Sequence, residues 1–254
     1  MLLAIDMGNT NIVISCIDGR NIAFVERIST DISRTELEYA ISFKMVFELH
    51  GIGPDSIDGS ILSSVVPPLT NVISHAVEKI TGNKPMIVGP GIKTGLNIHM
   101  DDPGSVGSDL IVGAVAAIER YGAPVTIIDL GTATTIAVID RKGSYAGGII
   151  IPGVRASLEA LASSTSQLPK IGLDIPKHVI GKNTVDSMKS GIVLGNAAMI
   201  DGMIDRIHEE LGYETNVVAA GGTARLIIPA CKHRIHIDDE LLLHGLGIVY
   251  HKNH

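Results

Sequence analysis

Leu2-Leu3-Ala4-Ile5-Asp6-Met7-Gly8-Asn9-Thr10-Asn11-Ile12-Val13-Ile14-Ser15-Cys16-Ile17 is the stretch that decides the fold. An apolar run enters a turn bearing a carboxylate, a glycine, amides and a hydroxyl, and a second apolar run leaves it. Two strands joined by such a turn form a compact site for phosphate oxygens and a cation. Gly8 lets the backbone come close to a ligand. An ordinary hairpin is the competing reading, since Asp, Gly and Asn are all turn formers.

The pattern returns later, where Val125-Thr126-Ile127-Ile128 runs into Asp129-Leu130-Gly131-Thr132-Ala133-Thr134-Thr135 and then Ile136-Ala137-Val138-Ile139. Each copy continues through another turn into a third apolar run, Ile22 to Val25 after Asp18-Gly19 and Tyr145 to Ile151 after Arg141-Lys142-Gly143. Three strands joined by tight turns therefore occur twice, the mark of an internal duplication. Two such halves can each offer one acidic, glycine-bearing turn to a phosphate chain. The expectation is a duplicated α/β fold with its halves facing a central cleft; a single doubly wound sheet is the alternative.

Composition narrows the partners. A chain of 254 residues accommodates two modest domains with their own cores. Its 45% hydrophobic and 19% charged residues suit a soluble globular protein. With no Trp, only 3% aromatics and a net charge of −7, a nucleic-acid partner is not expected. Cys16 and Cys231 are the only cysteines, and Cys16 falls in an apolar strand pattern, as a buried free thiol in a reducing cytoplasm would. No run approaches the roughly 18 apolar residues of a membrane span, no secretory leader is read at the start, and the histidines lack zinc-site spacing.

Between the repeats, Ser33 with Glu36 reads as a helix start, followed by an apolar stripe of Leu37, Ala40, Ile41, Met45 and Leu49. A strand over Ile57 to Val66, a helix from Leu69 to Ile80 and a short strand Met86 to Val88 follow. Gly89 to Gly107 is a long irregular loop of the kind that is usually functional. Ser108-Asp109 opens a helix in which Ile111, Ala114, Val115 and Ile118 share one face. Past the second repeat come a helix through Leu158 and Leu161, a loop over Gln167 to Lys182, and a long helix capped by Asn183-Thr184 and running to about Leu211. Its Gly191, Gly195 and Gly202 suit close approach of another backbone, such as a second subunit's. A strand Val217 to Ala220, the Gly221-Gly222-Thr223 turn, a strand Ile235 to Ile237 and a helix from Asp238 to about Val249 complete the order.

Neither common mononucleotide loop is present: Gly181-Lys182-Asn183-Thr184 lacks the upstream glycine and strand of a phosphate loop, and no Gly-x-Gly-x2-Gly follows the first strand. Gly221-Gly222 either lets an adenosine lie against backbone or simply makes a tight turn. Asp109, in the first turn of its helix, is the candidate general base, which the helix macrodipole is expected to keep ionised at neutral pH; helix stabilisation alone would also explain an acidic residue there.

Taken together these residues resemble the type III pantothenate kinase family, of the acetate and sugar kinase, Hsp70 and actin superfamily. The first phosphate motif is matched by Asp6-Met7-Gly8-Asn9-Thr10, the second by Asp129 to Thr135, and the adenosine motif by Gly221-Gly222. Gly147 to Gly153, Leu168-Pro169, Gly181 to Thr184 and Leu243-His244-Gly245-Leu246 are further marks of the family. The resemblance implies duplicated ribonuclease H-like (actin-like ATPase) subdomains, over 1–115 and 116–254. It implies that Asp6, Met7, Gly8, Asn9, Thr10, Asn11, Ile12 and Val13 line the phosphates of ATP, with Thr132, Gly221 and Gly222 also at the nucleotide. Asp129 would bind a potassium or ammonium ion, and magnesium would accompany ATP. Asp109 would accept the proton, Gly107, Ser108 and Asp109 would touch pantothenate, and Thr184 would reach the substrate of a neighbouring subunit. Members are cytoplasmic homodimers that make 4'-phosphopantothenate from pantothenate and ATP, the first step of coenzyme A synthesis. Met100 stands where the family's substrate motif has a tyrosine, and Leu110 where it has an arginine beside the catalytic aspartate. A weakened or compensated pantothenate kinase is the expectation; a kinase for another small hydroxyl acceptor and a non-catalytic nucleotide-binding paralogue are the alternatives.

Overall fold

A strand with partners on both sides and helices on both faces must be apolar on both faces. Leu3, Ala4 and Ile5 satisfy this with no exposed surface. In the computed structural model, which describes residues 1–19 and 21–254, they belong to β1 (Leu2–Met7). It is followed by β2 (Asn11–Asp18), β3 (Asn21–Ser29), α1 (Glu36–Leu49), β4 (Gly59–Ser64), α2 (Pro67–Thr81), β5 (Met86–Ile87) and α3 (Ser108–Tyr121). The second repeat opens with β6 (Val125–Leu130), β7 (Ala133–Ile139) and β8 (Tyr145–Pro152). Then come α4 (Val154–Ser164), α5 (Thr184–Leu211), β9 (Asn216–Ala220), α6 (Ala224–Ile227), β10 (His236–Ile237) and α7 (Leu241–Asn253).

Among the described residues the strands form two five-stranded sheets, in the orders β3-β2-β1-β4-β5 and β8-β7-β6-β9-β10. The orders are the same once β6 is matched to β1. In both, the first three strands are antiparallel neighbours, and the central one continues through parallel pairs. Internal duplication is therefore present at the level of topology, as a pair of ribonuclease H-like sheets.

The chain divides into two units, one made of Met1–Leu96, Asp101–Ala116 and Glu240–His254, the other of Asn97–Met100 and Ala117–Asp239. A single cut between residues 115 and 116 thus misassigns the C-terminal helix, because α7 packs in the first unit. There Leu243, Leu246 and Val249 meet Leu2, Ala4 and Ile61 of the sheet and Val112 and Val115 of α3. The opposite face of that sheet is covered by α1 and α2, through Tyr39, Phe43, Phe47, Leu69 and Ile73. In the second unit α5 supplies Ile192, Val193, Ile200 and Ile204 to a core shared with Ile128, Leu130, Ile136 and Val138.

Three local expectations change. The start of α1 is a capping box two residues later than expected, with Thr35 as N-cap and Glu38 returning to its backbone. Ser33 is unavailable because its N–H and hydroxyl both donate to Asp31 Oδ1. Of the expected stripe only Ala40 is buried; Leu37, Ile41, Met45 and Leu49 face outward, at 57%, 54%, 50% and 76% exposure, while Tyr39, Phe43, Val46 and Phe47 go inside. Both faces of α1 are apolar, and the one with the larger aromatic area takes the core. Finally, α7 begins at Leu241, not Asp238, whose carboxylate is held by Arg120 Nε at 3.0 Å and Tyr121 Oη at 2.9 Å.

The contact between α3 and α7 yields a paired test. A Cβ on Gly245 would run into the backbone carbonyl of Val112, whereas one on Gly113 would meet only Leu242 Cδ2 at 3.5 Å. Gly245→Ala is expected to cost about 1–3 kcal/mol by overpacking. Gly113→Ala is expected to be neutral or to stabilise by up to about 1 kcal/mol through helix propensity. Denaturant melts of the two variants measure the difference; equal midpoints would mean that the two helices do not pack this closely.

Candidate active site

The first acidic turn is a tight crossing between two fully paired strands. Asp6, half-buried, lies opposite Val13 on β2 and Ser63 on β4, and Gly8 N donates to Asn11 O at 3.0 Å to close the loop. Asn9, Thr10 and Asn11 are exposed, while the side chains of Met7 and Ile12 are fully buried in the core. Met7 and Ile12 therefore present no surface to a ligand in this conformation. Val65 N donates to Met7 O at 3.1 Å, which ties the strand end to the residue just past β4.

The second turn is built likewise but is one residue shorter. Leu130 pairs with Thr134, and Gly131 N donates to Ala133 O at 3.1 Å. Thr132 is exposed at its tip. Glycines surround the Asp129 carboxylate: a Cβ on Gly131 would lie 3.2 Å from Asp129 Oδ2, and one on Gly221 would lie 2.5 Å from Asp129 Oδ1 and 2.6 Å from the Leu130 carbonyl carbon. Gly221 also has φ +97°, a conformation that disfavours any side chain. Thr223 completes the cradle by donating both N–H and Oγ1–H to Leu130 O, at 3.3 and 3.1 Å. On the other side, a Cβ on Gly153 would overlap Thr132 O. Gly221 thus has a structural reason to be glycine, whereas Gly222 has open space where its Cβ would be.

Asp109 lies in the first turn of α3. Its Oδ1 accepts from Leu110 N at 2.8 Å, and a Cβ on Gly107 would strike that same oxygen, so the glycine makes room for the carboxylate. Burial raises the Asp109 carboxyl above its ordinary value, against the opposing pull of the Leu110 and Asp109 N–H groups. The donors of the helix start favour the charged form, as the macrodipole argument expects, but desolvation outweighs them and the net shift is upward. A base moved towards neutral pH accepts a proton more readily. Ser108 does not offer its hydroxyl outward: Oγ is 3.0 Å from Ser63 Oγ, accepts from Ser64 N at 3.1 Å and reaches Ser64 O, pinning the helix start to the end of β4. Leu110 is half-buried.

The irregular loop divides between the units. Ile98 forms a parallel bridge to Tyr145 at the start of β8, and Met100, 36% exposed, follows it in the second unit, whereas Gly107, Ser108 and Asp109 belong to the first. Thr184, exposed at the start of α5, lines an open groove of about 610 Å³ with Leu161, Leu168, Lys182 and Met188. No residue of either acidic turn is among the groove's lining. Among the described residues there is no cluster of three or more His, Cys, Asp or Glu able to hold a metal by itself. Cys16 is buried, with its thiol pushed up to about 11, and has no reactive role at neutral pH.

Three features escaped sequence reasoning: the serine pin under Ser108, the backing of the second turn by Gly153, and the anchoring of the first turn by Thr30, to which the chain returns at the end of β3. Gly153 was visible as part of a motif, but nothing local says what it touches. Thr30 lies in the polar run Ser29-Thr30-Asp31 and looks like any threonine at a strand end.

A profile described as type III pantothenate kinase matches residues 2–206. The chain is 45% identical over 253 residues to the type III pantothenate kinase of an Exiguobacterium species, covering all of this chain and 99% of that one. It is 44% identical to the protein of that name from Myxococcus xanthus, again over 100% of this chain and 99% of the relative. Among solved structures, a putative Baf family transcriptional activator from Campylobacter jejuni superposes with TM-score 0.60 at 16% identity, covering 99% and 98% of the two chains. Component A of the Acidaminococcus fermentans (R)-2-hydroxyglutaryl-CoA dehydratase gives 0.59 at 15% identity, over 98% and 96%. At such identities the two structures speak to the fold alone, which they share with this chain.

Asp109 supplies a pH test. Its native pKa is raised, so the folded state gains relative to the unfolded one below the unfolded carboxyl's pKa and loses that advantage as pH rises through the native value. At pH 7 Asp109→Asn is therefore expected to raise Tm, and the gap should close below about pH 4. Thermal scans at the two pH values check this; a lower Tm for the variant at pH 7 would contradict it.

Proposed function

Because this chain belongs to the type III pantothenate kinase family, we propose that it transfers the γ-phosphoryl group of MgATP to the primary hydroxyl of pantothenate, forming 4'-phosphopantothenate for coenzyme A synthesis. The observation that carries this reading is the repeated turn: Asp6 and Asp129 end equivalent central strands of two sheets of the same order. Phosphoryl transfer depends mostly on positioning and charge neutralisation, with little covalent work for the protein. Backbone groups from Gly8 to Asn11, with Thr132, bind phosphate oxygens, and Gly221-Gly222 serves the adenosine. Asp109 takes the hydroxyl proton on the oxygen that Leu110 N–H does not hold. Ser108, locked to β4, keeps that carboxylate in place.

A potassium or ammonium ion at Asp129 fits the surroundings, since the Cβ-free positions 131 and 221 leave room around an oxygen donor suited to a hard cation. When bound, the ion would offset phosphate charge. Met100, Gly107 and Leu110 form the pantothenate side. Leu110 brings neither charge nor donors, so an anionic substrate group must be held by another cation or be held weakly.

A homodimer in the cytoplasm is part of the same reading. Positions 191, 195 and 202 lie on one side of α5 with nothing within 4 Å of where a Cβ would stand, and Ile175, Val179, Ile180 and Val185 beside the helix start are exposed. Thr184 in this region would act on the partner's substrate. No helix among the described residues is long and apolar enough to cross a membrane.

ADP release from MgATP, with and without pantothenate and with potassium or ammonium, tests the proposal. Pantothenate-dependent release is expected from the native chain, and Asp109→Asn is expected to lower kcat by about 10²- to 10⁴-fold. Leu110→Arg is expected to lower KM for pantothenate by roughly tenfold or more, the worth of one charge-assisted contact. Silence of both the native and Leu110→Arg proteins, with ATP still bound, would replace catalysis by a nucleotide-binding role. Light scattering is expected to give about twice 26.8 kDa; a monomer at micromolar concentration would remove the dimer.

A further inference from the structure

The first acidic turn is held from behind by one residue outside it. Thr30 Oγ1 donates to Gly8 O at 2.7 Å, and Thr30 N donates to Thr10 O at 3.0 Å. The Gly8–Asn9 and Thr10–Asn11 peptides are trans, as are all described peptides other than Ala123-Pro124. A planar trans peptide points its N–H opposite to its C=O. By fixing the two carbonyls, Thr30 fixes the directions of the Asn9 and Asn11 N–H groups.

Thr30 is itself held. Asn11 and Ser29 are register partners at the ends of β2 and β3, so Thr30 begins where the ladder ends. Immediately after it, the backbone of Asp31 is gripped at both ends by a single phenol: Asp31 N donates to Tyr39 Oη at 2.9 Å, and Tyr39 Oη donates to Asp31 O at 2.9 Å. Tyr39 has no exposed surface and sits in the core beneath α1. A chain of contacts therefore runs from a buried core aromatic through Asp31 and Thr30 to the turn.

Accepting the Asp6 to Asn11 turn as the phosphate site, we infer that Thr30 is a positioning residue for nucleotide phosphate, which aims the Asn9 and Asn11 amides while not itself touching ATP. Preorganised N–H donors are worth most where no reorientation is needed on binding. Losing the hydroxyl while keeping the side chain's volume should therefore weaken phosphate binding without affecting recognition of the nucleoside.

Calorimetric titration of the full-length protein with MgATP and, separately, with adenosine tests this in the native chain, Thr30→Val and Thr30→Ser. Thr30→Val is expected to bind MgATP about five- to tenfold more weakly, the loss typical of one hydrogen bond, with adenosine affinity unchanged. Thr30→Ser is expected to return MgATP affinity to within about twofold of native. In turnover assays the Val variant should raise KM for ATP and leave KM for pantothenate alone. Should Val prevent folding, Thr30→Ala is compared by the same MgATP-to-adenosine ratio. Native-like MgATP binding by the Val variant, equal weakening of both ligands, or a Ser variant as impaired as Val would each overturn the inference. Failure of the native chain to bind MgATP would remove the phosphate reading itself, an outcome distinct from a silent Thr30 substitution.

Discussion

Each unit must place an aspartate at the end of a central strand that has partners on both sides, and then turn the chain without burying the carboxylate under side chains. Glycine resolves this locally. At Asp129 the absence of Cβ atoms on residues 131 and 221 leaves the carboxylate its space, and at Asp109 the same is done by Gly107. The surrounding carbonyls are then tied back, by Thr30 in the first turn and Thr223 in the second. Sheet order, cores and helix positions hold these short segments in register.

Desolvation and hydrogen bonding compete at Asp109. The start of α3 supplies backbone donors that favour the charged form, yet burial outweighs them and raises the carboxyl. A carboxylate that is costly to keep charged is a better proton acceptor than one stabilised in full. The Ser63, Ser64 and Ser108 contacts anchor the start of the helix that carries it.

Much of this was legible in the sequence because duplication is a long-range pattern written in short strings. The Asp-x-Gly turns, the apolar runs beside them and the order of helices all read directly, and α5 ends at Leu211 as its pattern implies. What failed depended on competition between neighbours. Leu37, Ile41, Met45 and Leu49 have proper helical spacing, but Tyr39, Phe43 and Phe47 on the same helix bury more apolar area. Asp238 looks like a helix start until Arg120 and Tyr121 claim its carboxylate. The return of α7 to the first unit is a tertiary fact with no local signature. At the candidate site, carboxylates and glycines announced themselves, whereas Thr30, Tyr39 and Gly153 act through backbone carbonyls that no motif displays.

The proposed function requires both repeated turns to bind the phosphates of one nucleotide. Amide hydrogen exchange with and without MgATP measures this most directly. Slowed exchange is predicted for residues 8–11, for 131–133 and for 221–223, with adenosine protecting only the last of these. Protection confined to the groove around Leu161, Thr184 and Met188, with both turns unchanged, would contradict it.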